Sequence, residues 1–293
     1  MKKASARRFV ERYRVSEGKK FRLEKHDPAD TAGLSLDGKA AKDLLEKGIR
    51  LLGDLQAKLY AQDRWSVLVI LQAMDAAGKD GTIKHVMSGI NPQGVQVHAF
   101  KQPSAEELDH DFLWRAARRL PARGNIGIFN RSYYEEVLVV RVHSELLAAE
   151  KLPEELAGKD VWEERYEDIN AFERYLVNQG YLVLKFFLNV SKQEQKRRFL
   201  ARLDEPEKNW KFSFDDVRER GFWNDYMRAY QKMIGATSTK RAPWFVIPAD
   251  NKWFTRVAVA EIIVYALERL DLSFPKLDPK RRKELAAIRG ALG

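Results

Sequence analysis

A lysine and two aspartates set among glycines, directly after an apolar strand, can bind phosphate and position it for transfer. The segment Ala73-Met74-Asp75-Ala76-Ala77-Gly78-Lys79-Asp80-Gly81 has that arrangement. Gly78 and Gly81 let the backbone approach an anion closely. A helix starting at Lys79 would aim free N–H groups at the same anion, and Lys79 adds a point charge. Ala76, Ala77, Gly78, Asp80, Gly81 and Thr82 are therefore read as phosphate-binding. Measured against G-x-x-x-x-G-K-[S/T], Ala73 replaces the first glycine and Asp80 the hydroxyl residue. A carboxylate facing phosphate repels it unless a cation lies between them, so Asp75 reads as a magnesium ligand.

Two further clusters fit the same chemistry. Ile128-Phe129-Asn130-Arg131-Ser132-Tyr133-Tyr134-Glu135-Glu136 follows a strand, at the sheet edge where α/β proteins bind ligands. Asn130 stands where many phosphoryl-transfer enzymes have an aspartate, and Arg131 can stabilise charge on a transferring phosphoryl group. Glu135 and Glu136 could restore the missing negative charge, and Glu136 is taken with Asp75 as a metal residue. Which of Asp80, Glu135 and Glu136 carries the displaced charge is left open. The third cluster is a basic helix in which Arg198 and Arg202, four apart, share one face. With Lys208 and Lys211 beyond it, the stretch 191–215 reads as a mobile lid that closes on phosphates. His26, His85, His98, His110 and His143 have no metal-ligand spacing.

Alternating strands and helices must position these groups. Ser66–Gln72, Val95–Phe100, Ile126–Asn130, Tyr181–Val190 and Trp244–Pro248 read as strands. Lys39–Ala61, Ser104–Leu120, Lys159–Gln179, Ser191–Leu203 and Trp253–Leu270 read as helices, and residues 1–38 as an irregular arm. Ser66–Gln72 is a continuous apolar run, which suits a strand buried on both faces of a parallel sheet, and strands alternating with helices imply a doubly wound parallel sheet sandwiched by helices. The expected division is an N-terminal arm and helix (1–60), a phosphotransferase domain (61–275) and a basic tail (276–293).

The chain has 293 residues and no cysteine, which excludes disulfides and thiolate chemistry. Its net charge of +10 suits polyanionic ligands. No nucleic-acid motif and no membrane-length apolar run is present, so neither nucleic acid nor membrane is an expected partner. A cytoplasmic location is expected.

Together, Asp75-x-x-Gly78-Lys79-Asp80-Gly81-Thr82-Ile83-Lys84, Asn130-Arg131-Ser132-x-Tyr134-Glu135 and Lys211 resemble the second family of polyphosphate kinases. Lys101-x-Pro103-Ser104-x-Glu106-Glu107 and Asp250-Asn251-Lys252-Trp253 extend the resemblance, which runs from about residue 13 to residue 270. It implies a P-loop kinase fold close to thymidylate kinase, dependence on Mg2+ (or Mn2+ in its place) and a homo-oligomer. It also implies transfer between inorganic polyphosphate and nucleotides. Most members carry Asp-Arg-Ser-Trp-Tyr-Asn where this chain has Asn130 to Glu135. That departure resembles the subgroup taking AMP through ADP to ATP. By the same resemblance, Lys79 and the loop amides hold phosphates, and Arg131, Arg198 and Arg202 clamp the transferring group. Lys84, Lys101 and Lys211 extend a positive track for the polymer. A kinase drawing its phosphate from ATP is the alternative.

Overall fold

The computed structural model describes residues 3–35, 38–211 and 214–292; the side chains of Lys208 and Lys211 lie outside the described residues. In chain order the elements are α1 (Lys3–Tyr13), α2 (Gly38–Gln62), β1 (Ser66–Gln72), α3 (Lys79–Val86) and β2 (Val95–Ala99). Two single turns follow, α4 (Ala105–Leu108) and α5 (Trp114–Ala117), then β3 (Ile126–Asn130), α6 (Val139–Val142) and α7 (Val161–Asn178). The chain continues through β4 (Tyr181–Asn189), α8 (Lys192–Asp204), α9 (Phe214–Gly221), α10 (Trp223–Thr237), β5 (Trp244–Pro248), α11 (Lys252–Leu267) and α12 (Pro279–Leu292).

All five strands are parallel, in the order β2-β3-β1-β4-β5. Every residue of β1 is buried, as expected for a strand covered on both faces. One group of helices joins α11 with α1, α2 and α3, and another joins α7 with α10 and α6. Because β1 lies between β3 and β4, the segments leaving β1 and β3 emerge side by side at the carboxyl edge of the sheet. That edge is where an open α/β sheet leaves a crevice. Among the described residues no helix is long and apolar enough to cross a membrane.

Two expectations need correction. The arm at 1–38 is irregular only in part. Its first stretch is α1, because Phe9 and Tyr13 pack against Phe254 of α11, tilted and edge-on, with ring centroids 6.0 and 5.8 Å away. A short helix gains most of its stability from such packing. The single helix expected over 104–120 is broken into α4 and α5. The Asp111 carboxylate accepts from the Leu113 N–H at 2.9 Å, which competes with the helical ladder. At the start of α8, Ser191 and Glu194 have the spacing of a capping box, but only half of it forms. Ser191 accepts from the Glu194 N–H at 3.1 Å, but the Ser191 N–H donates to Asp250 at 2.8 Å instead of to Glu194.

The strand β4 carries a lysine among its apolar residues. Lys185 is fully buried, and its Nζ donates to Glu173 (2.6 Å), the Tyr134 hydroxyl (3.0 Å) and the Thr237 carbonyl (2.8 Å). Tyr133 and Tyr134 both donate to the same Glu173 carboxylate, at 2.9 and 2.7 Å. This network anchors the segment after Arg131 to the sheet. Removing one partner strands a buried charge, so Lys185→Met should lower unfolding free energy by about 3–5 kcal/mol. Pairing it with Glu173→Gln should recover part of that loss, as measured by equilibrium denaturation.

Candidate active site

The loop after β1 must turn its amide N–H groups outward if it is to hold an anion, so its carbonyls must be satisfied behind it. Arg198 of α8 does this. Its Nη1 donates to the carbonyls of Ala76 (3.0 Å) and Ala77 (2.7 Å), and its Nη2 to those of Ala249 (2.5 Å) and Asp250 (3.1 Å). Its Nε donates to Glu194 at 2.7 Å. A guanidinium has five N–H groups, and all are engaged here. The loop is bent to match. Gly78 has φ +107°, and Ala76 has φ +62°, a left-handed conformation costing a residue with Cβ about 1–2 kcal/mol. Lys79 opens α3 and folds back, with Nζ donating to the Ala73 carbonyl at 2.8 Å.

Arg131 faces this loop from the end of β3. It too is left-handed (φ +63°), and its N–H donates to the Leu71 carbonyl at 3.0 Å. The turn directs its guanidinium to Asp75 (2.7 Å) and Glu135 (3.4 Å). Strained residues on both sides of one crevice mark a place whose geometry the rest of the fold maintains. Beside this pair, Asn130 donates to the Asp80 carboxylate at 2.8 Å. The amide at the strand end thus sits against the carboxylate that the loop carries in its hydroxyl position.

Burial, and then the charge of Arg131, pulls the Lys79 ammonium down to about 8; Asp75, Glu135 and Asp80 oppose the fall. Burial pushes the Glu135 carboxyl up against the pull of Arg131 and Lys79. Glu135, and with it Asp75, holds the Arg131 guanidinium well above its usual range.

These groups line a cleft of about 870 Å³. Of the residues expected at the site, Asp75, Ala76, Ala77, Gly78, Lys79, Asp80, Gly81, Thr82, Lys101, Asn130, Arg131, Arg198 and Arg202 meet there. Glu135 lies behind Arg131. Lys84 is exposed on α3 and is not part of the cleft lining. Lys211 ends a 3-10 turn, with its side chain outside the described residues. Two assignments change. The structure turns Glu136 away from the cleft, into a buried cluster with Arg165 (3.7 Å) and Glu150. Glu150 also helps burial push the Glu136 carboxyl up to about 8. Arg198, with every N–H engaged, holds the loop and has no donor left for a phosphoryl group. Within the stretch read as a mobile lid, α8 is docked on the loop through it.

Composition and spacing missed Arg256 as a cleft residue, and they marked Lys252 only through a resemblance. Both project from the first turns of α11, opposite Arg197 and Arg202 of α8. Burial, and then the charges of Arg198 and Arg197, lowers the Lys252 pKa, and burial with Arg198 lowers that of Arg256. Such crowded cations favour an anion between them. A signal was present: Lys252 and Arg256 are four apart at the start of a helix that leaves a strand's carboxyl end.

Among the described residues no group of three or more His, Asp or Glu side chains could hold a metal by itself. Glu205 and Asp216 line the cleft farther off, after α8 and on α9, while Asp75 and Asp80 open on it at the loop itself. That donor set fits Mg2+, which keeps waters and is shared with substrate phosphates.

Parallel strand, glycine-bearing turn, buried lysine and opposed arginine define a phosphotransferase of P-loop type. The family model for polyphosphate kinase 2 (PPK2) matches residues 35–275. An ADP-polyphosphate phosphotransferase of Rhodopseudomonas palustris is 52% identical over 284 residues, covering 97% of this chain and 98% of the relative. An AMP/ADP-polyphosphate phosphotransferase of Meiothermus ruber is 44% identical over 94% of this chain and 98% of its own. The crystal structure of polyphosphate kinase 2 from Arthrobacter aurescens TC1 superposes with a TM-score of 0.88 at 43% identity, covering 96% of both chains. The chain belongs to the polyphosphate kinase 2 family.

Lys79 is charged below pH 8 and loses its proton above it, while an anion binds the charged form. Tripolyphosphate binding to the free protein should therefore weaken as pH rises through about 8, approaching about tenfold per pH unit. Titration calorimetry reads this directly. Lys79→Met should bind more weakly and show no such step.

Proposed function

We propose that this enzyme transfers phosphoryl groups from inorganic polyphosphate to AMP and then to ADP, giving ADP and ATP. The observation that carries the reading is the Asp75–Arg131 pair set across the loop from Lys79. It brings one carboxylate and two cations to one point of the cleft, and the names of the relatives supply the substrate class.

The chain's own residues do the work by position and charge. The loop amides and Lys79 hold the phosphates flanking the transferred group. Arg131 leaves Asp75 to meet the charge that spreads over the phosphoryl oxygens. Arg197, Arg202, Lys252, Arg256 and Lys101 keep the polymer in line. Asp75 and Asp80 would hold Mg2+, or Mn2+ in its place, and the ion would neutralise charge between donor and acceptor. Asp80 takes the role once given to Glu136, because it opens on the cleft and Asn130 orients it. The acceptor phosphate oxygen is already anionic, so no general base is needed.

We read residues 61–275 as the working body, 1–60 as its arm and helix, and 276–293 as a tail. The assembled form is taken to be a cytoplasmic homo-oligomer. A second reading stops at ADP as the only acceptor, and the name of the Rhodopseudomonas palustris relative favours it.

Incubation with polyphosphate, Mg2+ and either AMP or ADP, with products resolved over time, separates the readings. ATP formed from AMP supports two-step transfer; ATP formed from ADP alone leaves the single-step enzyme. Replacing polyphosphate with ATP as donor should give little product. Lys79→Ala should cut kcat by about 100-fold or more. Unchanged turnover in that variant contradicts the loop assignment.

A further inference from the structure

Arg198 is not the only side chain of α8 that grips the loop. Gln195 is polar and yet only 1% exposed. Its Nε2 donates to the Asp75 carbonyl at 3.0 Å, and its Oε1 accepts from Arg220 Nη1 of α9 at 2.7 Å. The same Nη1 donates to the Lys192 carbonyl at 2.8 Å, tying α9 to the first turn of α8. Glu219, next to Arg220, is itself held by His143 (2.8 Å) and by the Tyr226 hydroxyl (2.6 Å).

This arrangement fixes which way a buried amide points. A guanidinium only donates, and a carbonyl only accepts. With Arg220 on one side and the Asp75 carbonyl on the other, a flipped Gln195 would set donor against donor and acceptor against acceptor. Arg220 therefore selects the orientation in which the NH2 group reaches the loop. The Asp75 carbonyl shares a planar peptide with the Ala76 N–H, which must point the opposite way. Gln195 thus pins the plane just before the left-handed Ala76, and Arg198 pins the next two carbonyls.

We propose that Gln195, oriented by Arg220, is a positioning residue that fixes the Asp75–Ala76 peptide and so aims the Asp75 carboxylate and the Ala76 N–H. The inference rests on reading the loop as the phosphate site. It makes α8 and α9 the mould of the loop, so a shift of either helix is felt at Asp75.

Gln195→Glu isolates the tie. The new carboxylate still accepts from Arg220 but offers the Asp75 carbonyl no donor. The expected result is a kcat lowered by about 10- to 100-fold, with KM for polyphosphate close to wild type and Tm lower by a few degrees, about 2–4 °C per kcal/mol lost. Amide hydrogen exchange should rise over residues 74–79 and stay level over α8. Arg220→Met, which leaves the amide unoriented, should lower kcat less, by about tenfold. Arg220→Lys, which keeps a donor, should recover most of that loss. Wild-type kcat in Gln195→Glu, or loop exchange equal to wild type, overturns the proposal. Exchange rising equally across α8, or no recovery with Arg220→Lys, overturns it too, since a general loss of packing then accounts for the defect. Exchange is read without substrate. If wild type transferred nothing from polyphosphate, the proposed reaction would fall while the tie could still be judged.

Discussion

A loop that offers its N–H groups to an anion must put its carbonyls somewhere. This constraint organises the crevice, because the carbonyls of Asp75, Ala76 and Ala77 all turn toward α8, where Gln195 and Arg198 receive them. Unsatisfied, each would cost about 1–3 kcal/mol, and the left-handed Ala76 would have no reason to persist. The helix read as a lid is thus also the scaffold of the loop. Arg202, one turn on from Arg198 on the same face, and Arg197 beside it also reach the cleft, so one helix both shapes the phosphate site and contributes to its field.

Without substrate the charges of the cleft satisfy one another. Arg131 spans Asp75 and Glu135, and Lys79 rests on its own loop carbonyl. Phosphates and a divalent cation would replace these internal pairings with better ones. Cations crowd the side formed by α8 and α11, where Glu205 and Asp216 temper them, and Asp75 and Asp80 lie nearer β1 and β3. A polyanion and a metal ion are the ligands such a division accommodates together.

Much of this was legible in the residues. The apolar run of β1, the Gly78-Lys79 step into a helix and the Asn130-Arg131 step out of a strand are local signals, and each was read correctly. What escaped depended on direction or on distant packing. Glu135 and Glu136 are neighbours in sequence, but the 3-10 turn after Arg131 sends one toward Arg131 and the other toward Arg165. Arg198 looked like a phosphate clamp because nothing in its own segment shows that carbonyls from 76, 77, 249 and 250 converge on it. The burial of Lys185 was not legible, because its partners lie on α7, α10 and the turn after Arg131. The helix α1 draws its stability from Phe254, more than two hundred residues away in the chain.

The central claim is that the loop held by α8 receives phosphate between Lys79 and the Asp75–Arg131 pair. A crystal structure of the protein with tripolyphosphate and Mg2+ tests it most directly. The account predicts a phosphate within hydrogen-bonding distance of Lys79 Nζ and the loop amides, and Arg131 swung from Asp75 onto a phosphate oxygen. Arg198 should remain on the Ala76 and Ala77 carbonyls. Tripolyphosphate bound only along exposed lysines, with Arg131 still on Asp75, would contradict it.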